Sequence, residues 1–97
     1  MTDAEIPQEI LDLQARAMDM VCRHIQDELR LPDPPPIHEN GHYRSTGYWN
    51  GRVNLVVYMQ ARKEHVHVSV HWNGKNRSGH GLRSEADLAY LIKRVFE

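Results

Sequence analysis

Cysteine occurs once in the 97 residues, as Cys22. A lone thiol forms no intramolecular disulfide and supplies no cysteine-based zinc cluster, so neither can staple this chain. No apolar run approaches the roughly 18 residues that a membrane helix requires. The amino terminus, MTDAEIPQEI, lacks the basic-then-apolar pattern of a secretory leader. The expectation is therefore a soluble, cytoplasmic protein with no membrane partner. Neither sign of charge dominates: 12 Lys and Arg stand against 13 Asp and Glu, a net charge of −1 with histidine neutral. So small a charge predicts weak nonspecific affinity for a phosphate backbone at physiological salt. With 40% hydrophobic and 26% charged residues, the length suits one globular domain over residues 1–97 and is too short for two.

The charges that are present are unevenly placed. Residues 1–31 carry seven acids against three arginines, and residues 62–97 carry seven bases against four acids. Such asymmetry either marks a basic binding face or holds two halves of one domain together.

Residues 8–31 predict a long helix. At 100° per residue its apolar side chains spread over an arc of roughly 220°, about twice what a surface helix needs. The arc resolves into two seams. Ile10, Leu13, Ala17, Met20 and His24 form one; Leu11, Ala15, Met18, Cys22, Ile25 and Leu29 form the other, at alternating spacings of four and three. The second has the heptad geometry of a helix–helix contact. Either the helix lies in a groove of its own domain, or this seam pairs with a second copy. Few other elements exist to cover both seams, which favours a homodimer.

Pro32 is expected to stop the helix, since the residue before a proline avoids helical angles. Pro32-Asp33-Pro34-Pro35-Pro36 then opens a stiff connector over residues 32–41. Residues 42–82 predict the sheet. Two stretches share the skeleton H-x6-W-N-G-[RK], at His42–Arg52 and His65–Lys75, and Asn-Gly between strand-like runs is a strong hairpin signal. Centring one turn on Asn50-Gly51 and the next on Arg62-Lys63 pairs Tyr48 with Val53, Tyr58 with His67, and Leu55 with Val70. Val53, Leu55, Val57 and Met59 then share a core face with Val66, Val68, Val70 and Trp72. Arg52, Asn54, Val56, Tyr58, Gln60, His65, His67, Ser69 and His71 take the other face. A short fourth strand from Lys75 to about Leu82 would set His80 opposite His67.

Residues 84–96 predict the closing helix, with Ser84 as N-cap, Asp87 as its capping-box partner, and Leu88, Leu91, Ile92, Val95 and Phe96 as the apolar stripe. The expected fold is α+β: a long helix, a three- to four-stranded antiparallel meander, then a helix, with both helices on one sheet face. The order helix, three strands, helix resembles that of double-stranded-RNA-binding domains. Those domains carry a basic cluster at the start of the last helix, whereas Ser84-Glu85-Ala86-Asp87 stands here.

Seven histidines raise the question of metal. His65 and His67, at i and i+2 of a strand, point the same way, and His80, His42 or His38 could add a third nitrogen. Exposed strand positions also accept histidine for its stacking, and no cysteine or carboxylate joins the set, so no metal or cofactor is expected. Catalysis has little to rest on. Ser69 lies between His67 and His71, but residues 42–61 contain no Asp or Glu to orient an imidazole. Ser78-Gly79-His80-Gly81 lacks the lysine and spacing of a phosphate loop. Cys22 reads as a small buried hydrophobe and His24 as a core histidine.

The expected function is a small, non-catalytic protein-binding or regulatory module, homodimeric through Leu11, Ala15, Met18, Cys22, Ile25 and Leu29. The alternative is RNA or single-stranded DNA binding through an exposed sheet face comprising Arg52, Tyr58, His65, His67, His71, Lys75, Arg77 and Arg83. A histidine metal site at His65, His67 and His80 is the third reading.

Overall fold

A computed structural model describes residues 6–97, apart from the side chains of Ser78 and His80. The order is α1 (Gln8–Leu29), β1 (Ile37–Asn40), β2 (Tyr43–Trp49), β3 (Asn54–Ala61), β4 (Val66–Trp72), β5 (Lys75–Leu82) and α2 (Ala86–Arg94). The strands form one antiparallel sheet whose spatial order follows the chain. Both helices pack on the same face, as expected for this α+β class.

The fifth strand is a departure from expectation. β1 arises within residues 32–41, which the proline run marks only as a connector. Its cause is a third Asn-Gly: Asn40 pairs with Tyr43, and Gly41 takes a φ of +62° in the intervening turn. Thr46 fastens the connector, donating its hydroxyl to the Pro36 carbonyl at 2.8 Å.

Two turns sit one residue later than the sequence predicts. The central pair after β2 is Gly51-Arg52, because Gly51 alone carries the positive φ (+90°) and the Asn50 side-chain oxygen accepts the N–H of Arg52 and Val53. The turn after β3 closes through Arg62 N–H to the His65 carbonyl, which leaves Lys63-Glu64 at its centre. Each shift moves the register by two residues, so Tyr48 pairs with Leu55, Tyr58 with Ser69 and Leu55 with Trp72. A shift of two keeps every side chain on its predicted face, because strand side chains alternate with a period of two. Leu55, Val57, Met59, Val66, Val68 and Val70 are accordingly buried.

A bulge breaks that parity once. The β4–β5 hairpin turns on Asn73-Gly74, both with positive φ, but its register slips between Val68 and Val70 where Gly79 reaches φ +87°. His80 therefore stands opposite Val68, and Gly81 takes the place opposite His67.

α1 stops before the proline acts. Arg30 adopts the left-handed conformation, and the N–H groups of Arg30 and Leu31 return to the carbonyls of Asp27 and Gln26, closing a Schellman motif. α2 begins without the Ser84 side-chain cap. Asp87 instead accepts the N–H of Arg83 at 2.8 Å and of Ser84 at 3.3 Å.

The dimer seam turns inward. Met18 and Ile25 are 0% exposed and Cys22 4%, all within the core of their own chain, while Leu11, Ala15 and Leu29 are half-buried. The sheet supplies the groove, so a homodimer through this seam loses its basis. Met20, placed on the inner seam by helical spacing, is 41% exposed. The helix sits one position round from expectation because Gln14 faces inward. Gln14 is 1% exposed, and its amide donates to the carbonyls of His42 at 2.8 Å and Met59 at 3.1 Å.

That amide is a buried polar link between α1 and the sheet. Gln14→Leu keeps the volume and removes both donors, and should cost about 1–3 kcal/mol, measured as a lower urea midpoint at unchanged slope. Full stability in the variant would show that the link is incidental.

Candidate binding face of the sheet

A meander with both helices on one side leaves its other side open. Alternation puts Tyr43, Ser45, Gly47 and Trp49 of β2, Asn54, Val56, Tyr58 and Gln60 of β3, and His67, Ser69 and His71 of β4 on that side. Trp49 is 72% exposed, and Val56 and Tyr58 are each 39% exposed. Large apolar side chains gathered on one uncovered face mark an interaction surface more than scattered ones do. Tyr43 and Tyr58 lean together with ring centroids 5.2 Å apart. Partial desolvation, with a smaller push from Tyr43, raises the Tyr58 hydroxyl pKa above its ordinary value.

Beside Trp49 lies a hollow of about 320 Å³, walled by Trp49, Val56, Asn54, Ser45 and His38. Gly47 forms its floor. A Cβ there would come within 2.5 Å of the Leu55 carbonyl oxygen, so the strands approach too closely for any other residue.

The cations collect at the opposite end of the face. His65 pairs across the turn with Arg62, and the His65 ring and the Arg83 guanidinium both overhang Gly81, 3.5 and 3.6 Å from where its Cβ would stand. Arg62 donates to the Gln60 side chain at 3.0 Å, which lays it along the face. Next to this corner opens a cleft of about 750 Å³, lined by Tyr43, Gln60, Arg62, Lys63, Glu64 and His65 among others. Burial, then the charges of Arg83, Arg62 and His67, lower the His65 pKa against an opposing pull from Glu64.

The candidate ligand residues therefore divide. Tyr58, His65, His67, His71 and Arg83 share the open side, and Arg52 stands in the turn at its Trp49 end. Lys75 and Arg77 do not join them: their register partners are Trp72 and Val70, on the helix side. Arg77 is engaged there, donating to the Arg94 carbonyl at 2.8 Å and so capping α2. The sequence reading puts Arg62 in the turn and leaves it off the face; its place just past β3, two residues beyond Gln60, was the available signal.

Among the described residues no three His, Cys, Asp or Glu side chains converge as metal ligands. The His80 side chain lies outside the described residues. No acid joins Ser69, His67 and His71 on the strands of this face, so the elements of a triad are not assembled. Cys22 is buried, 3.5 Å from the Thr46 hydroxyl, and burial pushes its thiol pKa up, as suits a packing residue. His24 stacks on Phe96 at 5.4 Å. No described helix is long and apolar enough to cross a membrane. No protein-family model matches the chain, and no curated protein or solved structure is similar to it.

The lowered His65 pKa ties stability to pH. The unfolded chain protonates this imidazole near its ordinary pKa of about 6.5, while the folded chain resists until lower pH. Below that value the unfolded state binds more protons, so stability is intact at neutral pH and declines as pH falls. The melting temperature should drop between about pH 7.5 and pH 5.5, and less steeply in His65→Gln. Equal slopes in the two proteins would remove His65 as the cause.

Proposed function

We propose that the protein is a non-catalytic binding module whose working surface is the open face of its sheet, presented to a macromolecular partner. The observation that carries this reading is Trp49, 72% exposed on a face where Val56 and Tyr58 are also uncovered. An indole left in water forfeits burial free energy on the order of 1.5–3 kcal/mol for a large apolar side chain. Nothing in the packing of the domain requires it, because the core is completed on the other face by α1 and α2. The expected protein-binding role, first argued from surplus apolar surface on α1, is carried instead by the sheet, since α1 is absorbed into the core.

A photoreactive phenylalanine analogue placed at Val56, and separately at Asp19 on the exposed side of α1, tests this reading inside cells that make the protein. Illumination should give macromolecular adducts from position 56 and none from position 19. Adducts from position 19 alone, or from neither, would sink the proposal.

A further inference from the structure

We infer that the open face binds single-stranded nucleic acid, its phosphates held at the Arg62/Arg83 corner and its bases stacked on Tyr58 and Trp49. This rests on the reading of the open face as the binding surface, and it adds the partner's chemistry.

Charge selects that partner. The face runs from a cationic corner at Arg62, His65, His67 and Arg83, past Tyr43 and Tyr58, to Val56 and Trp49, and ends at Arg52 in the far turn. No Asp or Glu stands on its described strand positions; Glu64 sits in the turn beside the corner, opposing its cations in part. The acids of α1 are elsewhere: Glu9, Asp12, Asp19, Asp27 and Glu28 are exposed on the helix layer. The helix layer mixes these acids with Arg16, Arg23 and Arg30, while the strand positions of the open side carry no acid. A polyanion laid along the strands of the open side meets no carboxylate short of the Glu64 turn.

Shape and ring placement select a single strand over a duplex. Sequence-tolerant single-strand binding pairs a cationic track with aromatic platforms, each base finding a ring to stack on. The stretch from Gln60 to Asn54 covers about 20 Å at strand rise, room for a site of about four nucleotides, the low end for sheet-based binders. The hollow beside Trp49 has an indole wall for a base, with Asn54, Ser45 and His38 at its sides to meet base edges. In a duplex the bases are already stacked on one another and offer these rings no face.

The expected weakness of nonspecific binding sets the conditions of the test. With two or three cations in contact, affinity should fall with salt at a log–log slope of about −1.4 to −2.1, from roughly 0.7 per phosphate contact on single strands. Lower pH should tighten binding. His65 gains a proton more readily beside a phosphate, against the resident charges of Arg62, Arg83, His67 and Lys63 and with the support of Glu64.

Fluorescence anisotropy of labelled dT15, its U15 counterpart and a 15-base-pair duplex, read at low and at physiological salt, decides the matter. Both single strands should bind at least about ten-fold tighter than the duplex; the ratio between them separates DNA from RNA as the preferred source. Trp49→Ala should weaken binding about ten-fold or more with an unchanged salt slope. Arg83→Ala should flatten the slope by about 0.7. Both side chains are exposed, and circular dichroism melts confirm that the variants fold. No binding at low salt, binding indifferent to Trp49→Ala, or equal affinity for the duplex would overturn the inference. Adducts from position 56 that survive nuclease and yield to protease would also overturn it, while leaving the open face as a surface for protein.

Discussion

Everything in this domain depends on α1 lying across one face of a meander that has no second layer. The helix offers the sheet Leu13, Ala17, Met18, Val21, Cys22 and Ile25, and the sheet answers with alternate residues of β3 and β4. α2 finishes the same layer, where Phe96 stands edge-on to Trp72 with ring centroids 4.9 Å apart. Because apolar contacts have no direction of their own, the helix needs a polar contact to fix its position, and Gln14 supplies it. Its amide reaches carbonyls on the β1–β2 turn and on β3 at once. The rotation that brings Gln14 inside carries Met20 outside, which converts a two-seamed helix into a single buried stripe.

The same one-sidedness explains which parts of the fold could be read from the residues. Alternation along residues 53–60 and 66–72 assigns each side chain to a face whether or not the turn is placed correctly. The register errors of two residues at Gly51 and Glu64 therefore left the core and the open face intact. An odd shift is another matter. The bulge at Gly79 moved His80 from opposite His67 to opposite Val68, and glycines in an otherwise strand-like run were its only signal. β1 hid behind a proline run although Asn40-Gly41 announced its turn. The dimer seam failed for a deeper reason. Helical periodicity shows that a side of a helix is apolar, but it cannot say whether sheet or second copy covers it.

The candidate binding face was half readable for a related cause. Tyr58, His67 and His71 follow from strand parity, and the structure keeps them together. Lys75 and Arg77 were grouped with them by their sign and their nearness in sequence. Parity sends both to the helix side, where Arg77 serves the end of α2. Arg83 joins the face by a contact no spacing rule contains: its guanidinium folds back over Gly81 beside His65. A glycine there leaves the room that the imidazole and the guanidinium share.

Arg77 and Arg83 show how one charge type acquires two roles within a single hairpin. Arg77 meets a carbonyl at the negative end of a helix, where a cation is stabilised and held. Arg83 overlooks the His65 imidazole, whose other charged neighbours are Arg62, His67 and Glu64, and it shares a cleft with Lys63, Glu64 and Glu85. Protonating His65 beside Arg62 and Arg83 costs the folded state free energy, and the lowered pKa keeps His65 neutral near neutral pH. An anion arriving at this corner would offset the arginine charges, and the neutral His65 would take up a proton with it. On the proposed reading, the same arginines that would hold a phosphate also set the pH at which His65 charges, and the rings of Tyr58 and Trp49 would take the bases attached to it.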